Sequence, residues 1–214
     1  MAVSWRQERL ADAWLYLCMD RRADREDLDG FLDTVLGAGV DLLQLRDKTA
    51  TRDQLAAASA VFRAAADRHG ALFILNDDAR LAAEVGADGV HVGQDDLHPS
   101  DARVLVGPDA IVGRSTHSTQ EVDRALDEDC DYFAVGPVHA TPTKQGRPAI
   151  GLEPLRHAAA LAQQRPWFVT GDMSLRTAPE VLATGARRLV VVRAVTEAPD
   201  PARAVTQLAR LLRG

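Results

Sequence analysis

The chain has 214 residues, 46% of them apolar, and a formal net charge of −6. That length suits one domain, near the lower end for an eight-fold β/α barrel. The apolar share excludes disorder, and the negative charge excludes a global field that would draw nucleic acid.

Residues 1–12 read as a short charged helix outside the main pattern. No apolar signal core is seen there, and no apolar run approaches transmembrane length, so a soluble cytoplasmic protein is expected. Eight short apolar runs follow, at 13–19, 40–45, 72–75, 88–92, 110–113, 132–135, 167–170 and 188–192. Helical segments alternate with them at 25–36, 52–69, 79–85, 100–106, 119–127, 153–163, 177–183 and 201–212. Continuous runs rich in Val, Leu and Ile mark parallel strands buried on both faces. Eight such repeats in a chain this short favour a closed (β/α)8 TIM barrel over an open sheet. The expectation is one α/β domain over residues 1–214 with a short N-terminal helix. No Gly-x-Gly-x-x-Gly follows the first strand, which weakens a dinucleotide-binding reading. Cys18 and Cys130 lie in or beside strands and read as buried, reduced thiols.

In such a barrel, chemistry collects where strands end. Strand two delivers Gln44, Arg46 and Lys48, alternating and so on one side of the chain. Two cations and an amide in that array suit a phosphate: Arg grips with two donors, and Lys acts as a point charge. Strands three and four end in Asn76-Asp77-Asp78 and Gln94-Asp95-Asp96. Two strands joined by a helix are parallel, so both acidic clusters share one rim. Each alone reads as a helix cap or a loop turn. Together they favour a cation such as Mg²⁺, held by one or two carboxylates, water and substrate phosphates. Strand five leads to Ser115 and His117; Ser115 fits either a phosphate ligand or a helix cap. His91 reads as a hydrogen-bonded core residue, and neither histidine has a metal-ligand spacing partner. The one long loop, 136–151, carries Thr141, Thr143 and Lys144 among prolines and glycines and reads as a shaped clamp. Strands seven and eight end in Gly171 and in Val192-Arg193, where barrels often bind phosphate through backbone N–H groups. Gly171 would let a ligand approach the backbone closely. No Ser, His and acid set is legible as a nucleophilic triad.

The stretches Gln44-Leu45-Arg46-Asp47-Lys48, Asn76-Asp77, His91-Val92-Gly93-Gln94-Asp95-Asp96-Leu97, Gly113-Arg114-Ser115-Thr116-His117, and Gly136-Pro137 followed by Thr141-Pro142-Thr143-Lys144 are in the order and spacing of one family. The chain resembles thiamine-phosphate synthase over nearly its whole length. The resemblance implies a transferase of the barrel class. It would join hydroxymethylpyrimidine diphosphate to a phosphorylated methylthiazole and release diphosphate. It also implies roles. Gln44, Arg46 and Lys48 would hold the pyrimidine diphosphate, and Asn76 the pyrimidine ring. Asp77 and Asp96 would bind Mg²⁺. Ser115 and Lys144 would hold the leaving diphosphate; Arg46, Lys48 and Lys144 form the catalytic set. Thr141 and Thr143 would meet the thiazole phosphate, with backbone N–H groups near Gly171 and at Val192-Arg193. The partners would be these small molecules, with no nucleic acid or membrane.

One departure stands out. The family usually carries Gly-Gly after strand seven, and this chain has Gly171-Asp172. A carboxylate there would repel the thiazole phosphate, and a positive φ would cost a non-glycine residue energy, with Arg193 placed to offset the charge. Weaker thiazole-phosphate binding than in Asp172→Gly is therefore expected. Asp172 also motivates a rival: a catalytically silent barrel that keeps the pyrimidine pocket. A thiazole tautomerase-like relative is a second rival. The full set of Arg46, Lys48, Asp77, Asp96 and Lys144 argues against both.

Overall fold

The computed structural model describes residues 4–140, 148–162 and 164–214. Its eight strands are β1 Leu15–Met19, β2 Leu42–Leu45, β3 Leu72–Asn76, β4 Gly89–Val92, β5 Ile111–Thr116, β6 Tyr132–Val135, β7 Trp167–Val169 and β8 Leu189–Val191. All pairs are parallel, and β8 returns to β1, so the sheet closes as a barrel in chain order. The helices outside it are α1 Trp5–Ala11, α2 Leu28–Gly37, α3 Arg52–His69, α4 Ala79–Glu84, α5 Pro99–Val106, α6 Thr119–Asp127, α7 Glu153–Leu161, α8 Ala178–Leu182, α9 Arg193–Thr196 and α10 Pro201–Arg213.

Each strand sends alternate side chains to two cores. Leu15, Leu17, Phe73, Leu75, Phe133 and Val135 face outward and join the larger core under the helices. Tyr16, Leu42, Ile74, Ile111, Tyr132 and Phe168 face inward and fill the barrel. Leu10 of α1 belongs to this inner cluster, so α1 plugs the N-terminal end of the barrel. Size complementarity sets the inner packing. Gly113 is paired in register with Tyr132, and a Cβ on Gly113 would lie 2.5 Å from the Tyr132 hydroxyl.

Three aspartates tie the N-terminal ends together, each immediately before an even-numbered strand. Asp41 accepts the N–H groups of Trp14 and Leu15 and pairs with Arg213. Asp88 accepts from Phe73 N–H, Arg6 and Arg63. Asp131 accepts from Val112 N–H, Gln7 and Arg103. Each carboxylate thus satisfies a backbone donor of the preceding strand and neutralises an arginine.

Several boundaries differ from the sequence expectation, among them these three. The helix expected at 25–36 begins only at Leu28, because Arg22 pairs with Asp27 and stacks on Phe31, which holds the preceding segment as a loop. The fifth strand runs three residues past Gly113, through Arg114, Ser115 and Thr116. Arg193, expected in a loop, opens the one-turn helix α9. No helix among the described residues is long and apolar enough to cross a membrane.

Candidate functional site

A cavity of about 260 Å³ opens at the C-terminal end of the barrel. Its walls are the inward-facing residues of the strand ends and the first residues beyond them. From β2 come Gln44, Arg46 and Lys48; from β3, Asn76 and Asp77; from the β4 loop, Asp96; from β5, Ser115. Gly171 and Val192-Arg193 close the far side. These ten positions are all the expected site residues within the described part of the chain. Thr141, Thr143 and Lys144 lie outside the described residues.

The two acids meet. Asp77 takes a left-handed φ of 65°, a conformation in which aspartate is enriched, and its N–H donates to the His91 carbonyl. That hydrogen bond fastens the end of β3 to β4. Lys48 is ion-paired with the Asp77 carboxylate. Burial pushes the Asp77 carboxyl up from its ordinary value; the Lys48 ammonium pulls it down, while the Asp96 carboxyl, within hydrogen-bonding reach, pushes it up again. Asp96 also accepts from Gly93 N–H at 2.7 Å, so its turn role and its place in the cavity coexist. Asp78 caps α4, accepting from Leu81 N–H, and pairs with Arg52 at 3.6 Å; it does not line the cavity. Asp95 does not line the cavity.

Arg46 is half-buried and makes no ion pair among the described residues, which leaves its donors free for an anion. Ser115 is not a helix cap. It sits inside β5, and the cap of α6 is Ser118, which accepts from Glu121 N–H. The Ser115 hydroxyl instead lies 2.9 Å from Nε2 of His91. His91 is buried and hydrogen-bonded, as expected. Its Nδ1 lies 3.0 Å from the Tyr132 hydroxyl, which is 3.0 Å from the Tyr16 hydroxyl. Gln44 donates to the Tyr16 hydroxyl and accepts from the Cys18 thiol. A buried polar chain therefore joins Gln44 on one wall to Ser115 on another.

The expectation for Gly171 is corrected. Its φ is 112°, and a Cβ there would lie 2.7 Å from Cα of Pro137. The space beside it is filled by the chain's own backbone at Pro137-Val138 rather than kept for a ligand. Asp172 takes a φ of 53°, as the departure from glycine implied, and its carboxylate pairs with both Arg193 and Arg176.

Sequence reasoning did not single out Tyr16 or Cys18 as cavity residues, and it named His117 only beside Ser115 at the end of strand five. For the first two a signal was present: Tyr16 and Cys18 alternate along β1 and so share its inner face. His117 carried one as well: it follows Ser115 at the same alternation beyond β5, and its ring is held by the Gly136 carbonyl at the end of β6.

Comparison with known proteins agrees with this geometry. A family model described as thiamine monophosphate synthase matches residues 15–195. A thiamine-phosphate synthase from Thermobifida fusca is 53% identical over 209 residues, covering 96% of this chain and 95% of its own. One from Acidothermus cellulolyticus is 51% identical over 204 residues, covering 95% and 96%. Among solved structures, a thiamine phosphate pyrophosphorylase from Pyrococcus furiosus has a TM-score of 0.84 at 29% identity, covering 95% of this chain and 97% of its own. An orotidine 5'-phosphate decarboxylase from Pyrococcus horikoshii, at 15% identity and a TM-score of 0.67, shares the fold alone. With a family model spanning the barrel and full-length relatives above half identity, the chain belongs to the thiamine monophosphate synthase family.

Proposed function

We propose that this cavity joins hydroxymethylpyrimidine diphosphate to a phosphorylated methylthiazole, forming thiamine phosphate and releasing diphosphate. The observation that carries the reading is the meeting of Asp77, Asp96 and Lys48 in one cavity with Arg46, which has no ion pair among the described residues.

The donor set fits Mg²⁺. Two carboxylates face each other, and among the described residues their mutual repulsion is offset by a cation only at Asp77, where Lys48 pairs with it. Among the described residues no group of three or more His, Cys, Asp or Glu could enclose a metal. Asp77 and Asp96 would supply two ligands, and water and substrate phosphates the remaining ones. When bound, Mg²⁺ would offset charge growing on the departing diphosphate.

The chain's own residues do the rest. Gln44 and Asn76 orient the pyrimidine from neighbouring strands. Arg46 and Lys48 grip the diphosphate and lower the cost of its departure. Ser115, held by His91, donates a further hydrogen bond to it. The amino group of the pyrimidine stabilises a methylene cation, and the thiazole nitrogen attacks it, so no protein nucleophile is needed. Thr141, Thr143 and Lys144 belong to the same reading: Lys144 completes the diphosphate grip, and the two threonines meet the thiazole phosphate. Gly171 and Val192-Arg193 border that phosphate's corner. A soluble, cytoplasmic setting goes with this chemistry.

The test is direct. Purified protein is incubated with both substrates and Mg²⁺, and thiamine phosphate is measured. Turnover that stops on chelation, and in Asp77→Ala or Asp96→Ala, is the expected result. Absence of product at any substrate concentration would instead favour the silent ligand-binding barrel.

A further inference from the structure

Asp172 stands at the mouth of β7, on the side of the cavity closed by Arg193. Its place is firmly set. Its carbonyl accepts from the Thr177 hydroxyl at 2.7 Å, and that hydroxyl also accepts from Ser174 N–H at 3.0 Å, so the turn is pinned from within. The carboxylate is shared between two guanidinium groups: Oδ1 lies 3.1 Å from Arg193 and Oδ2 lies 3.1 Å from Arg176. An oxyanion held by one arginine on each oxygen is how a phosphate would be gripped. Arg193 lines the cavity, whereas Arg176 does not.

We infer that Asp172 is a specificity-determining residue for the phosphorylated second substrate: its carboxylate occupies Arg193 in the place which that substrate's phosphate must take. The inference rests on the proposed coupling reaction for the identity of that substrate. Each phosphate that enters the corner exchanges with an existing ion pair instead of meeting a free arginine. It also meets three side-chain charges summing to one positive, where the two arginines alone would present two. Asp172 therefore lowers affinity for a phosphate dianion and makes the corner less selective between phosphorylated and unphosphorylated forms of the second substrate.

The test uses Asp172→Asn. Asparagine has the same shape and tolerates the left-handed backbone, so the turn is retained, and its amide donates where the carboxylate repels. The KM for thiazole phosphate should fall about tenfold, equivalent to ~1.4 kcal/mol, with the KM for pyrimidine diphosphate moving less than twofold. A second arm needs no turnover. Binding of inorganic phosphate, read by calorimetry, should tighten about tenfold in Asp172→Asn, and that gain should vanish when Arg193→Ala is added. An unchanged or raised thiazole KM, or a phosphate gain that survives Arg193→Ala, overturns the inference while leaving the coupling reaction standing. A phosphate gain that depends on Arg193, in a protein that makes no thiamine phosphate, supports Asp172 as the anion competitor and sinks the coupling reaction instead.

Discussion

Removal of one oxygen atom, in Tyr132→Phe, tests whether the barrel interior positions the site. Tyr132 is fully buried, and its hydroxyl is the junction between Tyr16 and His91, each 3.0 Å away. One branch leads through Tyr16 to Gln44; the other leads through His91 to Ser115. Burial pushes both phenols well above their ordinary values, so both tyrosines stay protonated and their hydroxyls transmit orientation through hydrogen bonds. Without the hydroxyl, Tyr16 and His91 each lose one buried partner, and a buried polar group deprived in this way costs about 1–3 kcal/mol. For a chain of this size that lowers Tm by roughly 3–10 °C, measured by thermal unfolding. Loss of packing alone would stop there. The positioning role adds a kinetic signature: kcat/KM for the pyrimidine diphosphate should fall by about three- to tenfold, equivalent to ~0.6–1.4 kcal/mol. The KM for thiazole phosphate should stay put, because the corner proposed for it lies at the ends of β7 and β8. In a Ser115→Ala background the kinetic effect of Tyr132→Phe should shrink to the part transmitted through Tyr16 to Gln44, since coupled residues are not additive. Equal effects in the two backgrounds, or an unchanged Tm, would refute the reasoning.

Two further outcomes follow from packing. Gly113→Ala drives a methyl group into the Tyr132 ring, and overpacking of this kind costs about 1–3 kcal/mol or more; Tm should fall, and Tyr132→Leu should recover part of the loss by shortening the facing side chain. Burial raises the Cys130 thiol to about 11, so thiolate is scarce at pH 8. Alkylation followed by mass spectrometry should find Cys130 protected in the folded protein. Because its folded value lies above the ordinary 9.0, its stabilising contribution is complete below pH 9 and is lost as pH rises from there to about 11. Rapid native labelling at pH 8 would contradict this.

The barrel was legible because both faces of every strand are buried, and apolar runs are the direct trace of that burial. The failures occur where polar residues are buried in pairs. Residues 114–116 read as a loop because Arg, Ser and Thr are poor candidates for a core strand. In the fold each is satisfied: Arg114 pairs with Glu128 at 3.0 Å, Ser115 meets His91, and Thr116 donates to the Ala134 carbonyl. Such partners are distant in the chain, so composition around one residue carries no sign of them. The same reason hid the roles of Asp41, Asp88 and Asp131, whose backbone donors lie 15 to 27 residues away. The acids at the strand ends were easier. Their position follows from strand direction alone, and parallel strands put every C-terminus on one rim. Gly171 was placed correctly at the cavity but for a different reason, since its missing side chain admits Pro137 and Val138 rather than a ligand.

The two ends of the barrel use one residue type for opposite purposes. At the closed end the Asp88 carboxylate is almost fully buried, yet it receives two arginines and a backbone N–H, so its charge is matched. At the open end Asp77 has one lysine and, within reach, a second carboxylate. Burial without matching is costly for a charge unless something enters to complete it. Aspartate frequency does not distinguish these ends; the balance of partners around each carboxylate does. In a parallel barrel that imbalance can persist only where solvent or ligand has access, at the rim away from the plug made by α1. The acids, Arg46, which has no ion pair among the described residues, and the mutually paired Asp172 and Arg193 all lie on that rim. The site is thus the part of the surface whose electrostatics the chain leaves for a ligand to complete. Asp172 is the exception there, because it completes Arg193 from within and makes the second substrate's phosphate compete for it.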